Sequence, residues 1–76
     1  MTDKEKALDI IVKKRVNVAL LLDCFEMPDD PFLLKYQPDM CCGLYRYNEA
    51  IRYDSNAYPL NIREYNLLKK VLNWRN

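Results

Sequence analysis

A single glycine, Gly43, in 76 residues is the strongest constraint on what this chain can fold into. Tight turns between strands draw on glycine for backbone angles that other residues reach only under strain. A chain with one glycine is poorly supplied for a β-rich fold and well supplied for helices joined by short connections. The four prolines then act as punctuation, since each stops a helix or opens one.

The first helix opens at Thr2. The stretch Thr2-Asp3-Lys4-Glu5 has the form of a capping box, in which the hydroxyl takes the Glu5 amide and the glutamate reaches back. Ala7, Leu8, Ile11 and Val12 follow at spacings of three and four, which predicts one apolar face. Asp9 and Lys13 pair on another face, and Lys13, Lys14 and Arg15 stand where cations suit the negative end of the helix dipole. Asn17 is a good cap for a second, short helix over 18–25, with Val16 and Leu21 spaced as a hydrophobic staple. Its run Val18-Ala19-Leu20-Leu21-Leu22 is apolar on nearly every side, so it is expected to be the most buried element.

Pro28 ends what precedes it, and Asp30 before Pro31 caps one or two turns over 31–36, which Pro38 stops. The segment 39–53 has two readings. As a helix from Asp39 it gathers Leu44, Tyr47 and Ile51, with Ala50 beside them. As strand it alternates, giving a small β-hairpin around 43–60, but Asn48-Glu49-Ala50 breaks the alternation. The helix is favoured, and Asp54-Ser55-Asn56-Ala57 then reads as a turn. In the last helix Asn61 caps, Glu64 completes a box-like pattern, and Leu60 with Tyr65 makes a staple. Tyr65, Leu68 and Leu72 form one row. Leu67, Val71 and Trp74 form an adjoining row, the expected face for a second copy of the chain. Residues 1–76 are therefore read as one compact all-α domain of four to five short helices. The first, second and last form the core, with 39–53 across them.

A chain this short buries about 60% of its unfolded surface, and a single core of this size contributes roughly 3–5 kcal/mol. Disulfides, a metal or a partner usually add the rest. Three cysteines, Cys24, Cys41 and Cys42, are an odd set, and two are neighbours. They are read as reduced thiols of a cytoplasmic protein, packing as small hydrophobes. With no histidine and no Cys-x-x-Cys, no metal site and no cofactor is expected. Twelve basic residues against eleven acidic leave a net charge of +1, so nucleic acid is not the expected partner. The opening Met1–Ile10 lacks a long apolar run, so no membrane span is expected. The only hydroxyl nucleophiles besides tyrosine are Thr2 and Ser55, neither with an evident base, which points away from an enzyme.

Six tyrosines are the best functional clue, four of them within 45–58. Tyrosine offers large contact area at low entropy cost, although small cores also use it as a wall. Arg46 and Arg52 interleave with the tyrosines, so Tyr45, Arg46, Tyr47, Arg52 and Tyr53 are the candidate partner-binding residues. The same mixture would suit stacking on bases, which makes a small nucleic-acid-binding regulator the alternative function. The acidic group Asp23, Glu26, Asp29 and Asp30 reads first as a solvated loop and second as a mimic of a phosphate track. It lacks the spacing and glycine of a calcium loop. Lys13-Lys14-Arg15 does not begin a helix-turn-helix, because Val18–Leu22 would offer no side chain to base edges.

The two ends, Met1–Leu21 and Tyr58–Leu72, resemble short proteins of phages and prophages of Gram-positive bacteria. The shared features are a lysine/glutamate helix at the start and, at the close, a cap followed by Glu-Tyr, Leu-Leu-Lys and Val-Leu. Here these are Asn61, Glu64-Tyr65, Leu67-Leu68-Lys69 and Val71-Leu72. The resemblance implies a non-enzymatic protein that binds and inhibits a bacterial host protein in the host cytoplasm. A replication, transcription or anti-phage defence component is the expected target.

Overall fold

Four of the helices begin where a side chain meets an orphaned backbone amide. Thr2 Oγ1 accepts from the Glu5 amide at 3.2 Å, and Glu5 Oε1 accepts from the Thr2 amide at 3.4 Å, opening α1 over Asp3–Lys13. Asn17 Oδ1 accepts from the Leu20 amide at 3.1 Å and opens α2, Val18–Phe25. Asp30 Oδ1 accepts from the Phe32 amide at 2.9 Å and opens α3, Pro31–Tyr36. α4 spans Cys42–Asp54. Asn61 and Glu64 exchange bonds at 2.8 and 3.0 Å to open α5, Ile62–Leu72. The structure, a computed structural model, describes residues 1–28, 30–36, 41–54 and 56–72, with the backbone alone for Leu33, Leu34 and Asp54. All of its regular elements are helical, so the domain is all-α and the 43–60 hairpin is set aside.

α1 ends in a reversed turn. The Val16 amide donates to the Ile11 carbonyl at 3.0 Å and the Arg15 amide to that of Val12 at 3.4 Å, while Arg15 takes φ 50°. This is the Schellman arrangement, in which glycine is the usual occupant of the left-handed position. The sequence supplies arginine instead.

The helices associate as two pairs. α1 and α5 run antiparallel and are latched at both ends: Asp3 to Lys70 at 2.9 Å, and Lys14 to Glu64 at 3.6 Å. The Tyr58 amide adds a bond to the Lys14 carbonyl at 2.9 Å. α2 packs on α4. The pairs meet on Ala7, Leu21, Leu44, Tyr47, Ile51, Tyr65 and Leu68, with Leu60 closing the end. Each such leucine or isoleucine contributes roughly 1.5–3 kcal/mol relative to an exposed one.

Two expectations are corrected here. The inward face of α1 is Ala7, Ile10 and Ile11, whereas Leu8 is 55% and Val12 74% exposed. The spacing of three and four held for both sets, and the position of α5 decides between them. α2 is not the most buried helix, since only Leu21 and Cys24 are buried in it. A run that is apolar on every side selects no face, so half of it is left outward. The central element is α4, through Cys42, Gly43, Leu44, Tyr47 and Ile51. Its position requires Gly43: a Cβ there would collide with the Tyr65 hydroxyl and the Cys24 carbonyl. Asp39, from which the helix was expected to start, lies outside the described residues.

Candidate interaction surface on the fourth helix

The six tyrosines divide by helical phase. Tyr47 and Tyr65 point inward and their hydroxyls grip the two ends of α2. The Asn17 amide donates to Tyr47 Oη at 3.1 Å, at the N-terminus of α2. Tyr65 Oη donates to the Cys24 carbonyl at 3.5 Å, near its C-terminus. The Tyr65 ring also meets Phe25 edge-on, centroids 5.3 Å apart. Tyr47 is therefore withdrawn from the partner-binding set, being 0% exposed. It shares the phase of Leu44 and Ile51, three and four residues away, so the stripe that buries them buries it. Burial pushes its phenol above the usual range, only partly offset by the bond from Asn17, and the neighbouring Cys24 adds to the rise.

The other four candidates stand on the opposite side of α4. Tyr45, Arg46, Arg52 and Tyr53 are exposed. Tyr45, Glu49 and Arg52 follow at spacings of four and three, and Arg46 and Tyr53 run beside them at a spacing of seven. Glu49 holds the Arg52 guanidinium at 3.0 Å, which raises its already high pKa through the hydrogen bond and then through charge. The Arg52 Cζ also lies 5.8 Å from the Tyr53 ring centroid, within cation–π reach. Half the charge of this stripe is thus shared with Glu49, which lessens what it offers a phosphate.

Tyr45 and Arg46 also line a hollow of about 230 Å³ with Met27, Pro28, Asp30 and Cys42. Beside it α3 shows its outward face. Phe32 and Tyr36 are 68% and 66% exposed and pack edge-on against each other, centroids 5.2 Å apart. Sequence reading passed over these two. Their spacing of four within a short capped helix was visible, but nothing in the sequence says that this side of α3 faces solvent. A third missed residue is Asn48. Its amide donates to the Leu60 carbonyl and its Oδ1 accepts from the Leu60 amide, both at 2.9 Å. That clamp ties the 56–61 connection to α4, so α5 and the tyrosine stripe keep a constant relation.

The row expected to face a second copy is less open than predicted. Leu67 and Val71 are half-buried, and Trp74 lies outside the described residues. Val71 instead walls an apolar groove of about 520 Å³ between α1 and α5, with Leu72, Leu8, Ile11, Ala7 and Lys4. Of the cysteines, Cys24 and Cys42 are buried and Cys41 half-buried. Burial pushes the Cys24 thiol up, with Arg46 opposing and Asp23 adding to the shift. The Cys42 Sγ accepts from the Asp30 amide at 2.8 Å. Among the described residues, no three metal-ligating side chains gather, and no helix is long and apolar enough to cross a membrane. No family model, no curated protein and no solved structure matches the chain.

Proposed function

We propose that this chain is a non-enzymatic, phage-type interaction protein that binds a bacterial host protein in the cytoplasm and blocks it. One observation carries the reading: Tyr45, Arg46, Arg52 and Tyr53 are presented together on the solvent side of α4. Arg and Tyr are the residue types that dominate interface energetics, and rings held on a packed helix lose little entropy on binding. The helix is fixed from beneath by Tyr47, Leu44 and Ile51 and from the side by the Asn48 clamp. The surface is thus set before a partner arrives, which lowers the ordering cost of association.

The test is capture from bacterial lysate by the tagged chain, with mass-spectrometric identification, followed by an activity assay of the captured protein. Tyr45→Ala with Arg52→Ala is expected to lose capture and inhibition while the far-UV spectrum is unchanged. Equal capture by the double variant, or a captured protein that works as well with the chain as without it, would refute the reading.

A further inference from the structure

The charge of the chain is unevenly placed. Residues 23–36 carry Asp23, Glu26, Asp29 and Asp30 against Lys35, net −3, in a chain whose total is +1. Asp23, Glu26 and Asp30 are exposed. The apolar surface of this region is exposed as well. Phe32 and Tyr36 form an exposed aromatic pair, and Met27 and Tyr45 line the hollow. Exposed aromatic pairs are costly to leave in water, and they mark contact surfaces more often than single exposed residues do. The hollow, about 230 Å³, is smaller than the usual small-molecule pocket of roughly 300–1,000 Å³. It suits one large apolar side chain. Arg46 and Asp30 are the charged residues on its wall and offset each other, so the acidic excess of the region lies with Asp23 and Glu26, outside the lining.

From these features we propose that the outward face of α3 and the adjoining Met27–Tyr45 hollow form a docking surface for a cationic amphipathic segment of another protein. An apolar side chain of that segment enters the hollow, its apolar face lies on Phe32 and Tyr36, and its lysines or arginines face Asp23, Glu26 and Asp30. The charge decides the occupant: an acidic or nucleic-acid partner is disfavoured by Asp23, Glu26 and Asp30, whereas a basic segment gains both steering and register. This rests on the reading of the chain as an interaction protein and adds the chemistry of its partner.

The probe is a fluorescein-labelled helical peptide of about 14 residues, made of leucine and lysine in amphipathic order. Its control has every lysine replaced by glutamate. Fluorescence anisotropy at low salt is expected to give binding of the leucine/lysine peptide in the range of tens of micromolar, and none of the control at about 100 µM. Phe32→Ser with Tyr36→Ser should weaken binding by about tenfold or more. Glu26→Lys, which leaves the aromatic pair in place, should weaken it several-fold and flatten its dependence on salt. Absence of binding, equal binding of the glutamate control, or unchanged affinity in both variants would overturn the proposal. Capture from lysate that depends on Tyr45 and Arg52 while the leucine/lysine peptide fails would sink this inference alone. Failure of capture with peptide binding intact would sink the proposed inhibition alone.

Discussion

Removing Tyr47 tests the division of the tyrosines most directly. The ring is fully buried between α2 and α4, and its hydroxyl takes the Asn17 amide at 3.1 Å. Truncation to alanine leaves a ring-sized void and costs about 3–5 kcal/mol, the range for buried aromatic residues. A core of this size contributes roughly 3–5 kcal/mol in total, so Tyr47→Ala should be largely unfolded at 25 °C. Tyr47→Phe keeps the ring and leaves the partly buried Asn17 amide without its acceptor, which costs about 1–2 kcal/mol. With a urea slope near 1 kcal/mol/M for so small a domain, the midpoint should fall by about 1–2 M. Urea titrations followed by far-UV circular dichroism distinguish the three proteins. A Tyr47→Ala variant that kept the wild-type helical signal and midpoint would place the ring at the surface and refute the packing described here. The same result governs any binding experiment, because lost capture by Tyr47→Ala would report unfolding rather than a missing contact.

Four other outcomes follow. Gly43→Ala gains about 1 kcal/mol of helix propensity but forces a methyl group into the Cys24 carbonyl, an overpacking cost of about 1–3 kcal/mol with the Tyr65 bond at risk besides. A lowered midpoint is expected, and an equal or higher one would show that α2 and α4 stand farther apart. Asn48→Ala orphans both Leu60 backbone groups and should cost about 2–4 kcal/mol, read as faster amide exchange across 56–61 at the mildest. Arg15→Gly relieves the left-handed residue and should raise stability by about 0.5–1 kcal/mol after the entropy of the added glycine, visible as a higher melting temperature. Stability should also fall above about pH 9. Cys24 and Tyr47 both have pKa values raised by burial, so the folded state holds their protons longer than the unfolded state; stability is full below the ordinary thiol and phenol values and is lost as pH climbs through them. A flat urea midpoint from pH 7 to 10.5 would contradict this.

The helices were legible because their signals are local. Thr2, Asn17, Asp30 and Asn61 each sit where a cap is needed, and each makes the expected bond. Which face turns inward was only partly legible, since phase depends on neighbours far along the chain. Leu8 and Ile11 lie on adjoining phases of α1, and only the placement of α5 leaves Leu8 outside. The candidate surface divided in the same way. Tyr45, Arg46, Arg52 and Tyr53 are one face of α4, but Tyr47 belongs to the other, as its spacing from Leu44 and Ile51 already implied. Treating the tyrosines as a composition rather than as positions on a helix obscured that. The Asn48 clamp and the Gly43 crossing had no sequence signal, because each answers to a backbone atom on a different element.

The latch between Asp3 and Lys70 has a consequence for how the chain comes into being. Of the five helices described, α1 is made before the others and paired last, because its antiparallel mate is not made until residue 72. At roughly 5–20 residues per second, α1 waits several seconds with Ile10 and Ile11 in water. The α2–α4 half can associate in that interval, so assembly proceeds from the middle outward. A premature stop anywhere in the α5 coding region would leave a helix with nothing to close against.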